Sequence, residues 1–471
     1  MEELDIMENN ILIIISDQLS KRAVGAYGNA DVVTPNIDSL AKKGISFNNA
    51  YTTCPLCLPA RAAFWTGTMP HNTWSVSNVG QFNNGIVTED VPSVGSLFSA
   101  AGYECVHFGK THDNGSLHGF DIISMEGKHL DPSHPAYPLH YDSFNDEDTT
   151  RKSVDYLSKA HDKPFVMAVD IQNPHDICSW IGMFQGEHED VTGPDLLPEL
   201  LENYIVDFSQ LPKSVQYSCC AHRRQQHASH WDDMNFRHYL AAYYHYVHMA
   251  DDCIGRVIDA LKKSDSADNT LIVFMADHGD SMGSRKMVTK HTSFYEETTN
   301  VPMIFAGAGV SGKDISYDEL VSNTDLMPTL CEYAGIEYPT NIYGHSFAPL
   351  LKNESLKQER DYVASEWMSE WGFTVEPGRM IRSEKFKYTH FLEDNDEELY
   401  DMVNDPYEKV NLAGDGAYAD VLDKHRVMLQ EHVKLTADPF FYLEVKADDR
   451  WRAHESGFHK HVGVSAPDGD K

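Results

Sequence analysis

The sequence predicts an α/β fold: a mostly parallel sheet flanked by helices, with a smaller α+β subdomain at the C-terminal end. Three observations carry this. Short continuous apolar runs alternate with amphipathic helical patterns. Several of those runs stop abruptly at carboxylate or histidine residues. From about residue 360 the pattern changes to closely spaced short strands.

The elements follow in order. Ile11 to Ile15 is a continuous apolar run ending in Ser16-Asp17-Gln18, a buried strand with polar groups at its C-terminal edge. Thr34-Pro35-Asn36 opens a helix over Ile37 to Lys43, which Gly44 stops. Ser93 to Ala101 forms another helix, closed by Gly102, and strand Tyr103 to Phe108 follows. Pro164 precedes strand Phe165 to Val169. Steps of three and four through Leu240, Tyr243, Val247, Ala250, Ile254, Val257 and Leu261 mark a long amphipathic helix. Leu271 to Met275 is a buried strand running into Asp277 and His278, and Val301 to Phe305 is a third of the same type. Met380 to Arg382, Phe386 to Tyr388 and Glu398 to Tyr400 read as short antiparallel strands. The division expected is therefore 1–358 for the larger, catalytic domain and 359–471 for the C-terminal subdomain, with a frayed tail from Gly463. In open sheets of this kind the site lies beyond the carboxyl ends of the strands, where this chain places its polar groups.

Composition narrows the function classes. Lys plus Arg number 38 against 72 Asp plus Glu, a net charge of −34. Such a surface repels nucleic acid and anionic membrane, so neither is an expected partner. An anionic substrate must then meet a local cationic pocket. The 8 cysteines show no disulfide framework. Cys54 and Cys57 form a C-x-x-C pair, but no second pair follows to complete a zinc ribbon. No apolar run is long enough to span a membrane. The first ten residues, MEELDIMENN, lack a signal-peptide layout. The expected location is cytoplasmic, or periplasmic or secreted if a leader has been removed.

The chemistry centres on Cys57-Leu58-Pro59-Ala60-Arg61 followed by Thr66-Gly67. Pro59 and Ala60 start a helix that Gly67 ends. A cysteine just before Pro59 sits at a helix N-terminus, where backbone N–H groups and the dipole favour negative charge. Arg61, one turn on, can face the same point. On their own, a cysteine and an arginine on a helix are ordinary packing and surface residues.

The whole string, C-x-P-x-R-x-x-x-x-T-G, resembles the signature of the formylglycine-dependent sulfatases and matches every fixed position. Further segments resemble that family in order along the chain: Asp17-Gln18, Gly109-Lys110-Thr111-His112, Asn173-Pro174-His175, Asp277-His278-Gly279-Asp280, Lys290 with Phe294-Tyr295-Glu296, and Glu398-Leu399-Tyr400-Asp401 with Asp405-Pro406 and Asn411-Leu412. The resemblance implies an alkaline-phosphatase-like fold and hydrolysis of a sulfate ester. It also implies that a separate maturation enzyme oxidises Cys57 to formylglycine, whose hydrate can expel sulfate by re-forming the aldehyde. Asp17, Gln18, Asp277 and His278, with an oxygen of modified Cys57, are the implied ligands of a divalent cation. Lys110, Lys290 and Arg61 are implied to offset charge on the sulfate, His175 to protonate the leaving alcohol, and His112 to act in sulfate release. The chain departs from the family where many members carry Asp-Asp for Asp17-Gln18 and Asp-Asn for Asp277-His278. Calcium is the expected ion, with manganese admitted because imidazole suits it. Sulfated carbohydrate, as a small molecule or oligosaccharide, is the expected substrate. The alternative is a phosphonate monoester or phosphodiester hydrolase of the same superfamily.

Other residues carry weaker expectations. Trp74, Asn78 and Gln81 follow the nucleophile helix and are placed at the pocket rim, as are Trp367 and Trp371. Asp251-Asp252 is read as a helix packing feature rather than a metal site. Tyr243, Tyr244 and Tyr246 are read as core and rim, His245 and His248 as satisfied helix histidines, and Cys54 as structural.

Overall fold

The structure is a computed structural model and describes residues 9–78, 85–123, 143–183, 197–207, 210–290, 293–356, 360–368, 376–392 and 396–443. Its centre is strand β1 (Asn10–Ser16), every residue of which is buried. Alternate side chains of a strand point to opposite faces. Leu12 and Ile14 accordingly join one core cluster with the long helix Asp233–Lys263, and Ile11, Ile13 and Ile15 join a second with Phe64 and Trp65. Helices on both faces explain why the run is continuously apolar rather than alternating. Truncating Ile13 to Ala would cost about 2–5 kcal/mol.

The other strands of the main sheet are β2 (Ile45–Tyr51), β3 (Glu104–Gly109), β4 (Asp121–Ile123), β5 (Phe165–Ile171), β6 (Thr270–Ala276), β7 (Met303–Gly307) and β8 (Ile315–Ser322). Their order is β4-β3-β5-β1-β6-β7-β2-β8. β1 pairs in parallel with β5 and β6, β3 with β4 and β5, and β2 with β8. The fold is thus the mostly parallel α/β sheet expected. One strand corrects the sequence reading: β7 runs antiparallel to both β6 and β2, and it starts two residues later than expected. Its N-terminal end, not its C-terminal end, therefore lies on the site side. Because β7 reverses direction between them, β2 and β6 point the same way, and the chain leaving β2 also emerges on the site edge.

The long helix Asp233–Lys263 holds as expected. Asp251 on it accepts the backbone N–H groups of Asn36 and Ile37 at 3.1 and 2.9 Å, capping helix α1 (Pro35–Lys43). That is a structural use of the Asp251-Asp252 pair.

Strands β9 (Tyr362–Trp367), β10 (Gly378–Ser383), β11 (Phe386–Phe391) and β12 (Glu397–Asp401) form a separate antiparallel sheet in the order β12-β11-β10-β9. The C-terminal helix Ala419–Thr436 packs on it through Leu422, Leu429 and Val433, with Ile381 and Leu399 beneath. The conspicuous Glu296 and Glu398 motifs serve the joint between the sheets. Glu296 accepts from the Tyr51 hydroxyl at 3.0 Å and from Lys387 at 3.0 Å. Glu398 accepts from Tyr295 at 2.8 Å and Tyr400 at 2.7 Å. Among the described residues no helix is long and apolar enough to cross a membrane. The tail from Gly463 lies outside the described residues.

Candidate active site

Helix α2 spans Cys57–Thr66. Leu56 precedes it in extended backbone, and Gly67 closes it in the left-handed region at φ 70°. Pro59 falls in the first turn, where its missing N–H costs no hydrogen bond. Asn78 Oδ1 accepts the Leu58 N–H at 2.9 Å, satisfying one of the donors a helix start leaves open. Asn78 therefore stands against the first turn of the helix that carries Cys57. All ten residues of α2 are buried, Arg61 included.

The strand ends converge on Cys57. Asp17 follows β1, Lys110 follows β3, Asp170 lies in β5, and Asp277-His278 follow β6. The register aligns Asp170 with Ile15 and with Gly109 on its two sides. Lys110 ion-pairs with Asp17 and lies 3.9 Å from Cys57 Sγ. Lys290 Nζ lies 3.1 Å from the same sulfur, as does His278 Nε2. The His278 Nδ1 lies 2.8 Å from the Gly279 carbonyl oxygen. That contact occupies Nδ1 and leaves Nε2 as the ring nitrogen facing residue 57. Gly279 is required here, because a Cβ would collide with the Glu297 carbonyl oxygen.

Electrostatics set the charge states. Burial and the Asp17 carboxylate push the Cys57 thiol up, but Lys110, Lys290 and His278 outweigh them and hold it well below the usual thiol range. Burial raises Asp17 as well, yet Lys110, His175, Arg61 and Lys290 keep it well below the ordinary carboxylate range. Burial, reinforced by the Lys290 and Lys110 ammonium groups, holds His175 well below the usual imidazole range. The cluster sets the Lys110 and Lys290 ammonium groups beside Cys57 on a chain of net charge −34, with Asp17, Asp170 and Asp277 balancing them and Arg61.

Arg61 is held by carboxylates. Its guanidinium is fully buried and engages Asp17 and Asp277, each at 3.1 Å, and Asp170. Three carboxylates at neighbouring strand ends need a fixed positive charge between them, and the planar fork of arginine supplies it.

A divalent cation fits this donor set. One ligand atom each from Asp17, Cys57, Asp277 and His278 lie within 4.8 Å of one another, and all four residues are buried. That spread matches ligand distances of roughly 2.3–2.6 Å around one hard ion. Gln18 sits at φ 66°, with its N–H donating to Asp277 Oδ1 at 3.0 Å and its Oε1 accepting from Lys290 at 2.8 Å.

The remaining sequence candidates divide. His175 is half-buried after β5, and its Nδ1 has no hydrogen-bond partner among the described residues. His112 is half-buried at φ 39° and makes no hydrogen bond to the cluster among the described residues. Trp74 is half-buried and ends a short helical turn at φ 55°. Trp367 is only 1% exposed and belongs to the core cluster between the two sheets, with Tyr51 and Phe294, so it is not a rim residue. Gln81 and Trp371 lie outside the described residues. Cys54 is buried, consistent with a structural role.

Sequence reasoning gave no role to four participants. Asp170 was hidden because the apolar run was ended at Val169. Asp280 accepts from Gln18 Nε2 at 2.7 Å and from the Tyr239 hydroxyl. The Tyr243 hydroxyl donates to the Gln18 carbonyl at 2.7 Å. Tyr239 and Tyr243 are one turn apart on the long helix, so the signal available was a pair of hydroxyls on an otherwise apolar face.

A family model described as "Sulfatase" matches residues 9–336, and one described as "N-sulphoglucosamine sulphohydrolase, C-terminal" matches residues 286–434. The chain is 47% identical over 467 residues to the Delta 4,5-hexuronate-2-O-sulfatase of Bacteroides thetaiotaomicron, covering 97% of this chain and 95% of that protein. The solved structure of a 2-O GAG sulfatase has a TM-score of 0.90 at 47% identity, covering 96% of this chain and 97% of the other. The phosphonate monoester hydrolase of Agrobacterium radiobacter has a TM-score of 0.72 at 22% identity, with 92% of this chain and 97% of that one covered. That last likeness concerns the fold alone.

Proposed function

The chain belongs to the sulfatase family, and from that premise we propose that it removes the 2-O-sulfate from a Δ4,5-unsaturated hexuronate derived from a glycosaminoglycan. The observation that carries the substrate is the 47% identity, over nearly the full length of both chains, to a protein of that named activity. A C4–C5 double bond leaves no 4-hydroxyl to extend from, so the residue attacked ends its chain and the action is exo. Phosphonate or phosphodiester hydrolysis has only the shared fold behind it.

We assign roles as follows. Cys57, matured to formylglycine by a separate enzyme, supplies the nucleophilic hydroxyl and the route by which sulfate leaves. Asp17, Gln18, Asp277, His278 and residue 57 would hold a divalent cation, calcium before manganese, which supplies positive charge to the sulfate and acidifies that hydroxyl. Lys110 and Lys290 draw the sulfate to the pocket and offset charge on its oxygens. Arg61 keeps Asp17, Asp170 and Asp277 together against their mutual repulsion. Asn78 fixes the start of the nucleophile helix. His175 protonates the departing sugar oxygen. The imidazole is held neutral while two ammonium groups face it. An incoming sulfate neutralises that field and raises its basicity when a proton is needed. His112 serves sulfate release. The catalytic domain is assigned to 1–358, and its C-terminal subdomain to 359–471.

The test compares kcat/KM on three substrates: a 2-O-sulfated unsaturated uronate disaccharide, a 6-O-sulfated glucosamine, and an aryl phosphonate monoester. The first should exceed the others by about a hundredfold or more. Cys57→Ala should abolish that activity while leaving the melting temperature close to the parent's. Equal turnover of the 6-O-sulfate, or faster turnover of the phosphonate, would overturn the assignment.

A further inference from the structure

Behind the nucleophile, Gln18 is held between opposite charges. Its Nε2 donates to Asp280 Oδ2 at 2.7 Å, and its Oε1 accepts from Lys290 Nζ at 2.8 Å. Lys290 is in turn 3.1 Å from Cys57 Sγ. Gln18, Asp280 and Lys290 are all buried. An amide offers a donor and an acceptor of nearly the same shape, so its orientation is decided by its partners. The Cys178 thiol also donates to Oε1, at 3.4 Å, but the two charged partners, Asp280 and Lys290, each accept one orientation only.

Asp280 is itself pinned. Its Oδ1 receives the Met282 N–H at 2.8 Å and the Tyr239 hydroxyl, which leaves Oδ2 for Gln18. The Gln18 backbone is held as well, by Tyr243 at its carbonyl and Asp277 at its N–H. The backbone cannot compensate for a misplaced side chain.

We infer that Asp280 is a positioning residue that determines which end of the Gln18 amide faces residue 57. With aspartate in place, the Gln18 carbonyl oxygen points to Lys290 and the reaction centre. The side-chain nitrogen, which would repel both an ammonium group and a cation, points away. The role extends to any sulfate ester the site accepts, so it stands apart from the choice of sugar.

The consequence is specific. In Asp280→Asn the new side chain must keep its oxygen where the Met282 N–H and Tyr239 hydroxyl arrive. Its NH2 then meets Gln18 Nε2, donor against donor. Gln18 is driven to flip, and its own NH2 turns onto Lys290. A glutamate at 18 reverses this logic, because it accepts both from Lys290 and from the amide that D280N introduces. Beside Asp280, however, the same glutamate sets two carboxylates against each other.

The experiment is a double-mutant cycle of Q18E and D280N. It reads the calcium dissociation constant by calorimetry with the metal alone, and kcat/KM on whichever sulfated sugar the parent turns over fastest. D280N should weaken calcium binding and lower kcat/KM by about 10–100-fold, the range for partners of metal-site ligands. Q18E should worsen both quantities beside Asp280 and improve both in the D280N background. A purely structural Asp280 gives losses that add, with Q18E acting in the same direction in either background. That result overturns the inference, as does a D280N variant with parental calcium affinity. If D280N alone fails to fold, the Q18E/D280N protein must still fold and turn over substrate, and its failure counts against the inference.

Discussion

The Lys290 ammonium sits 3.1 Å from the Cys57 sulfur, although the two residues are 233 positions apart in sequence. Lys290 is 6% exposed, so its charge is little screened by solvent. Burial lowers its basicity, but the surrounding Cys57, Cys178 and Asp17 raise it further, and the amine stays protonated. A fixed cation beside residue 57 is what the proposed sulfate transfer requires. Lys290→Met should therefore reduce kcat/KM by about 10²–10³-fold, the range for losing one charge-stabilising donor. Steady-state kinetics with parallel circular dichroism would check this. Activity within about threefold of the parent's would remove Lys290 from the site.

The metal can be tested by removal. Excess EDTA should abolish activity, and calcium should restore it better than manganese and far better than zinc. Oxygen donors dominate the proposed set of Asp17, Gln18 and Asp277, with His278 the one imidazole. Restoration by zinc above calcium would mean that the ligands are other than these.

His175 should show its role through the leaving group. A sugar alkoxide is a poor leaving group and needs a proton; a nitrophenolate hardly does. His175→Ala should slow sugar desulfation by roughly 10²–10⁴-fold and aryl sulfate cleavage much less. His112→Ala should slow both alike. The reverse pattern would exchange the two assignments.

How much of this was legible in sequence depends on what each signal encodes. The string from Cys57 to Gly67 is a local structure, a helix with its start and its stop, so that helix reads correctly without tertiary information. The polar endings of β1 and β6 also read correctly, because Asp17 and Asp277 directly follow those buried runs, whereas in β5 the strand continues through Asp170. The direction of β7 did not: buried parallel and antiparallel strands share the same apolar composition, and only pairing distinguishes them. The surroundings of Arg61 were hidden for a related reason. Its partners Asp17, Asp170 and Asp277 lie on three strands, and their convergence is a property of strand order. Trp367 shows the limit of aromatic residues as rim markers, since a tryptophan in a strand can as readily fill a core.

The joint between the two sheets has its own pH dependence. His71 Nδ1 lies 2.6 Å from Glu366 Oε2, with Asp438 3.9 Å away. Burial lowers the imidazole's basicity, but Glu366 and Asp438 more than reverse this, and its pKa is raised above 6.5. A raised histidine contributes stability that is fully present below its unfolded pKa and is lost as pH rises through its folded one. The melting-temperature difference between the parent and His71→Gln should thus be largest near about pH 5–6 and shrink toward about pH 9. A difference that grows with pH would contradict the paired, protonated His71.

The decisive measurement uses one disaccharide that carries both a 2-O-sulfate on an unsaturated uronate and a 6-O-sulfate on the adjoining glucosamine. Proton NMR during turnover reports which ester is cut, because each ring proton beside a sulfate moves upfield when that sulfate leaves. The uronate H-2 signal should move first while the glucosamine H-6 signals stay in place, and Cys57→Ala should move neither. Loss of the 6-O-sulfate first, or desulfation that persists without Cys57, would contradict the assignment of this chain as a hexuronate 2-O-sulfatase acting through residue 57.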